Sequence, residues 1–257
     1  MVGRAATLPL VQRQYRDLTY EFLPGTELHA CLLFFEALLP ALPPLVFPVI
    51  ADPTPPLVVY TDASFYRAKR PRGGVDECSR DRSRLRGALG AVVYDPVSRR
   101  VVFADADPPW NILLSSWRND RRTYIAELET LAAISVYSTY PNLFKGRRVL
   151  HFIDNTVALS ALVHGYSGKP DLAKQVNVFY LQMLSLRSAV YFDYVPSKAN
   201  IADLPSRRMF VQLRSELAGL RGVTRPSDVL RVPSVASWSR PLARWADPVF
   251  PDVGFPM

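Results

Sequence analysis

LVVYTDAS, residues 57–64, runs four apolar, β-favouring positions straight into Thr61 and Asp62. Leu, Val and Tyr at this density build a strand for a protein interior. Yet the strand delivers a carboxylate, which is costly to bury unless a cation meets it. RVLHFIDN, residues 148–155, repeats the arrangement and ends on Asp154. A lone Asp after a strand is most often a turn or cap residue, so two such endings raise the question of what the carboxylates meet.

Outward from the first strand the pattern is orderly. Residues 65–87 are polar and basic, with eight Arg/Lys against three acids and a Gly73-Gly74 pair, and they read as a long loop or hairpin tip. Ala88–Tyr94 and Arg100–Ala104 are strands joined by a short polar turn, an antiparallel hairpin. Trp110 and Trp117 fall in an irregular run, after which Ile125–Tyr137 carries Ile125, Leu128, Leu131, Ala132 and Val136 at helical spacing. Arg148–Ile153 is a strand. Asn155–His164 is a helix with Gly165 as its stop, and Asp171–Leu186 is a helix capped by Asp171 after Pro170. Ala189–Val195 is the last strand, and Ile201–Arg208 is helical. The order β-β-β-α-β-α-α-β-α predicts an α/β domain over 57–208. Its mixed sheet has five strands, three antiparallel and then two parallel, flanked by helices.

The flanks differ in composition. Residues 1–56 hold an expected helix, Glu27–Leu39, and a Pro-rich linker, 51–56. The apolar stretch 30–50 contains Glu36 and prolines at 40, 43, 44 and 48, which favours a buried helix and connector over a membrane span. Residues 209–257 are rich in Pro and Arg, with Trp238 and Trp245 as the large anchors of the distal half, and are expected to be irregular. The chain of 257 residues carries 31 Lys+Arg against 23 Asp+Glu, net +8, which favours an anionic partner such as nucleic acid. Cys31 and Cys78 have no metal-ligand spacing and are too few for a disulfide framework, and Met1–Gln14 has no apolar signal core, so the chain is expected to be intracellular, in cytoplasm or nucleus.

Ligands of functional sites gather beyond the carboxyl ends of strands in open sheets with helical crossovers. Asp62 and Asp154 on neighbouring strands would point into one crevice there. Glu127, one face over from the apolar stripe of its helix, and Asp203, at the start of the last helix, are the further candidates. Four carboxylates in a small volume repel unless cations join them. Oxygen ligands without His or Cys select Mg²⁺ or Mn²⁺, and two such ions suit phosphodiester hydrolysis.

TDAS at 61–64, AELETL at 126–131, FIDNTVAL at 152–159 and NIADLPSR at 200–207 resemble the four acidic motifs of the ribonuclease H domain of retroelement (retrotransposon) reverse transcriptases. YVPSKANIADLPSR at 194–207 is the most specific block and resembles the end of that domain in long-terminal-repeat and tyrosine-recombinase-type retrotransposons. The resemblance covers about 57–208 and implies the ribonuclease H-like fold and hydrolysis of the RNA strand of RNA–DNA hybrids. By motif, Asp62 bridges two metal ions, Glu127 and Asp154 complete the cage, and Asp203 holds the ion near the nucleophilic water. Glu129 is the runner-up to Glu127, which is preferred because the family's Glu directly precedes an apolar residue and lies about one turn before the Leu-Ala pair. Ser64 and Asn155, which follow catalytic-type Asp residues, together with Lys198, Asn200 and Arg207, are the expected nucleic-acid contacts; for Ser64 and Asn155 a plain turn-capping role is the alternative.

The chain departs from the family pattern in two places. The loop Pro196–Ala202 lacks the His that many members carry before the last Asp, which implies slow turnover, and the basic stretch 65–87 is longer than the usual first hairpin. Residues 1–50 resemble, more weakly, the connection that precedes this domain in a reverse transcriptase. The Tyr-x-Asp-Asp polymerase signature is absent, so a polymerase domain outside this chain is an expected partner. A decayed domain that binds nucleic acid without cutting is the alternative function, and another nuclease or an integrase of the same fold is a more distant one.

Overall fold

The computed structural model describes residues 10, 27–41, 53–67, 85–110, 113, 123–220 and 228–233. Cys78, Trp117, Trp238, Trp245 and residues 68–84 of the basic loop expected at 65–87 lie outside the described residues. A helix, α1 (Glu27–Ala41), precedes the sheet and includes Pro40 near its end. Among the described residues no helix is long and apolar enough to cross a membrane.

The core is a mixed sheet. β1 (Leu57–Arg67), β2 (Leu85–Asp95) and β3 (Arg100–Ala106) form an antiparallel meander, and β4 (Arg148–Ile153) and β5 (Ala189–Tyr194) add to it in parallel on the other side of β1. A two-residue strand, β6 (Asp228–Val229), pairs in parallel with β3 and makes the order β5-β4-β1-β2-β3-β6. The expected five strands are therefore present with one short edge strand added. β1 and β2 also run further than expected, to Arg67 and back to Leu85, so the hairpin arms take in both ends of the basic stretch.

The strands alternate between two faces, as the pleat requires. Ala91, Val93, Val102 and Ala104 turn to the larger core, whereas Val92, Val101 and Phe103 turn to a smaller one. Over the first face lie α2 (Ile125–Thr139), α4 (Thr156–His164) and α5 (Pro170–Leu186), with a short turn of helix, α3 (Pro141–Phe144), after α2. α2 is buried from Ala126 to Ser138 on every side. Its Thr130 and Ser135 hydroxyls donate to carbonyls one turn back, at 2.9 and 2.7 Å, which satisfies polar groups that burial would otherwise strand.

α4 is bounded as its sequence requires. Asn155 accepts from the backbone N–H of Val157 and Ala158, and Gly165 ends the helix at φ 67° in the left-handed region where glycine is at ease. α5 differs by one residue from expectation. Pro170 opens it and Lys169 is the cap, while Asp171 sits inside the first turn, where its carboxylate favours the helix dipole.

The second face is covered by α6 (Asp203–Ser206) and α7 (Phe210–Glu216). Leu213 and Leu217 pack there on Val92, Val101 and Phe103, and Phe210 stacks on Phe103. Leu230, just after β6, is buried in the larger core. This corrects the expectation of an irregular tail from 209. Phe210, Leu213 and Leu217 have the i, i+3, i+7 spacing of a helix with one apolar face, and the Pro and Arg content of the residues beyond 220 obscured it.

Candidate metal centre

β1 and β4 are parallel neighbours in the register Tyr60↔Phe152. Two residues further along each strand, Asp62 and Asp154 come side by side. α2 crosses above them and adds Glu129. Carboxylate oxygens of Asp62, Glu129 and Asp154 all lie within 4.8 Å of one another. Glu127 is buried on α2 but is not part of this group. Of the two glutamates, Glu129, the runner-up, is the one that the structure groups with the two aspartates. Two positions along a helix turn the side chain by about 200°, so the two glutamates cannot serve the same side.

Glu129 is 2% exposed, and its Oε2 has no hydrogen-bond partner, while its other contact is with the Ala63 backbone. Burial, and then the Asp62 and Asp154 charges, raise its pKa well above the usual carboxylate range. Asp62 is pushed up to about 6, first by burial and then by Asp154 and Asp203, with the Ser206 hydroxyl and the Arg207 charge pulling the other way. Both groups are short of positive charge. Asp203 lies outside the three-residue group, yet its charge acts on both Asp62 and Glu129, so it stands at the rim of the site. There it pairs with Arg207 at 2.7 Å.

The segment 200–207 is clamped onto β1. Asn200 donates to the Thr61 carbonyl at 3.0 Å and accepts from the Ala202 N–H at 3.2 Å. The Ser206 hydroxyl donates to Asp62 Oδ2. The Ser64 hydroxyl accepts from the Ala88 N–H at 3.0 Å and donates to the Ser206 carbonyl at 3.1 Å. Gly90, opposite Asp62 on β2, makes room for this: a Cβ there would fall within 2.7 Å of the Ala202 carbonyl and closer still to the Ser206 nitrogen. A glycine inside a strand is the signal of such a close approach, and the ALGAVVY stretch carried it. Ser206 and Gly90 are the residues of the site that the sequence reading passed over.

The expected nucleic-acid contacts divide. Arg207 and Lys198 are exposed. Asn200 is buried at 3% exposure with its amide engaged by backbone, so it braces the site and is not available to a ligand. Asn155 caps α4, and Ser64 joins β1, β2 and α6. Beside the carboxylates a groove of about 710 Å³ is lined by Ser64, Tyr66, Arg86, Ser206, Arg207 and Arg208 among others. Its lining carries three arginines against one acid, Asp107, and Arg208 is paired with that acid and with Asp105.

No family model matches this chain, and no curated protein matches it. Among solved structures, it is similar to the RNase H1 of the halophilic archaeon Halobacterium salinarum NRC-1, at 14% identity and a TM-score of 0.41 over 61% of this chain and 98% of that one. It is also similar to the N-terminal RNase H domain of rv2228c from Mycobacterium tuberculosis, solved as a fusion with maltose-binding protein, at 15% identity and a TM-score of 0.38 over 63% and 98%.

Proposed function

We propose that the chain is a divalent-metal-dependent nuclease of the ribonuclease H type that hydrolyses the RNA strand of RNA–DNA hybrids. The observation that carries this reading is the Glu129 carboxylate, buried with an oxygen that has no hydrogen-bond partner and grouped with Asp62 and Asp154. An interior that strands a charged oxygen among other acids fits a cation in that place. All the donors are carboxylate oxygens, which suits Mg²⁺ or Mn²⁺. Asp62, Glu129 and Asp154 would hold the metal, with Asp203 at the rim, and the sequence motifs favour two ions. Bound there, the ions supply Lewis acidity for phosphodiester hydrolysis.

The chain's own residues do the rest. The Ser206 hydroxyl fixes the orientation of Asp62, Asn200 and Ser64 hold the segment that carries Asp203, and the arginines of the groove offer bidentate partners to backbone phosphates. The order of the four acidic motifs supports a retroelement reverse transcriptase as the origin, with a polymerase domain as partner and an intracellular setting.

The test is cleavage of labelled RNA–DNA hybrid beside single-stranded RNA, double-stranded RNA and duplex DNA, each with Mg²⁺ and with EDTA. The expected result is cutting of the hybrid's RNA strand that requires metal and is lost in Asp62→Asn. Binding to the hybrid without cutting would mark a decayed domain, and equal cutting of duplex DNA would mark a different nuclease of the same fold.

A further inference from the structure

Two adjacent arginines face the groove and are held differently. Arg208, at φ 59°, bonds to Asp105 at 3.2 Å and Asp107 at 2.8 Å, so two acids fix its guanidinium. Arg207 meets Asp203 at 2.7 Å across a single turn, in a pair whose side chains are 61% and 32% exposed. An exposed pair of that kind contributes little to stability and is readily exchanged. Asp203 is also the acid at the rim of the metal centre, and the Arg207 charge is felt at Asp62.

We propose that Arg207 is an internal counter-cation, which occupies Asp203 while the centre is metal-free and moves to a phosphate of the nucleic acid when a divalent ion takes Asp203. The inference rests on the nuclease reading above. A divalent ion on the second oxygen of Asp203 repels the guanidinium on Oδ1, and an exposed pair holds its arginine weakly, so metal entry favours an outward Arg207. The groove is where it would go, since Arg207 already lines it with Arg86 and Arg208. A guanidinium can exchange a carboxylate for a phosphate without loss, because the two present similar paired oxygens to the same fork of donors. Metal loading and substrate grip are thereby coupled. The metal-free centre keeps one phosphate-binding arginine withdrawn, and the loaded centre releases it.

Removal of Arg207 should then act with opposite signs on the two ligands. In the absence of nucleic acid, Arg207→Gln should bind Mg²⁺ about two- to fivefold more tightly than the parent, the size expected for loss of one exposed competing pair. Arg207→Lys should lie between the two. In saturating Mg²⁺, Arg207→Gln should bind an uncleavable 2′-O-methyl RNA–DNA duplex more weakly, with the slope of log affinity against log salt reduced by about one phosphate contact. In EDTA that difference should shrink, because the parent's Arg207 is then engaged with Asp203. Arg207 is exposed, so all three proteins should fold, and parent-like melting in EDTA checks this. Unchanged or weaker Mg²⁺ affinity in Arg207→Gln would overturn the exchange and leave the nuclease reading standing. A parent that binds no divalent ion would overturn both.

Discussion

Thr61 and Asp62 are adjacent on β1, yet the polar partners they meet are of two kinds. Thr61 belongs to a closed chain: its hydroxyl is 2.8 Å from His151 Nε2, and the Tyr137 hydroxyl is 2.9 Å from His151 Nδ1. All three residues are buried, and a neutral imidazole, with one donor and one acceptor, serves both neighbours. Burial alone holds His151 down to about 3. Asp62 belongs to an open group. It has the Ser206 hydroxyl, but beyond that it is grouped with Glu129 and Asp154, and burial, then the Asp154 and Asp203 charges, push its pKa up to about 6. One buried polar cluster is complete within the protein, and the other gathers three carboxyl groups and leaves a Glu129 oxygen without a hydrogen-bond partner. The first secures the sheet, since it ties β1 to β4 and α2, and the second is built on top of it.

The largest effect should come from breaking the closed chain. His151→Ala leaves a cavity and strands the Thr61 and Tyr137 hydroxyls, at a cost of about 3–5 kcal/mol. Denaturant unfolding in EDTA measures it, and a loss under about 1 kcal/mol would show that the chain does not secure the sheet.

A pH series separates the two clusters next. Asp62, at about 6 in the fold against its ordinary 3.8, binds its proton more tightly folded than unfolded. The metal-free fold therefore gains stability as pH falls from about 6 to about 4, by roughly 2–3 kcal/mol. His151, at about 3 against 6.5, works the other way, since the unfolded chain takes the proton and stability is lost as pH falls below 6.5. The two oppose each other in the parent. Asp62→Asn removes the first, so in EDTA its stability should fall more steeply on acidification, while at pH 7.5 it should equal or exceed the parent because a repelling charge is gone. Parallel pH profiles for the two proteins would show that Asp62 does not titrate in an open cluster.

A smaller effect sharpens the boundary of the site. Asn155 follows Asp154 but bonds into α4. Asn155→Ala should cost about 1 kcal/mol of stability, as cap losses do, with the Mg²⁺-induced rise in melting temperature unchanged. A lost metal response would place Asn155 among the site's own ligands.

Much of this was legible in the sequence. Strands with β-branched and aromatic residues, the two Asp endings and the Gly165 stop are local signals, and local signals fixed the order of elements, whereas the Asn155 cap stood only as the alternative to a nucleic-acid contact. The choice between Glu127 and Glu129 was not legible. α2 is buried on every side, so its apolar residues form no single stripe and cannot say which face a glutamate takes. The roles of Ser206, Asn200 and Gly90 depend on the 200–207 segment lying across β1 and β2, a contact between residues more than 100 apart for Asn200 with Thr61 and Ser206 with Asp62. α7 was missed because its short apolar spacing stood next to a stretch whose composition argued for disorder.

The central claim is that Glu129, with Asp62 and Asp154, holds a divalent cation. Thermal melts of the parent, Glu129→Gln and Glu127→Gln, each in EDTA and in millimolar Mg²⁺ or Mn²⁺, test it directly, because an ion that binds only the folded chain raises its melting temperature. The account expects a metal-induced rise in the parent and in Glu127→Gln, and little or none in Glu129→Gln. An equal rise in Glu129→Gln and the parent, or a rise lost in Glu127→Gln and kept in Glu129→Gln, would contradict it.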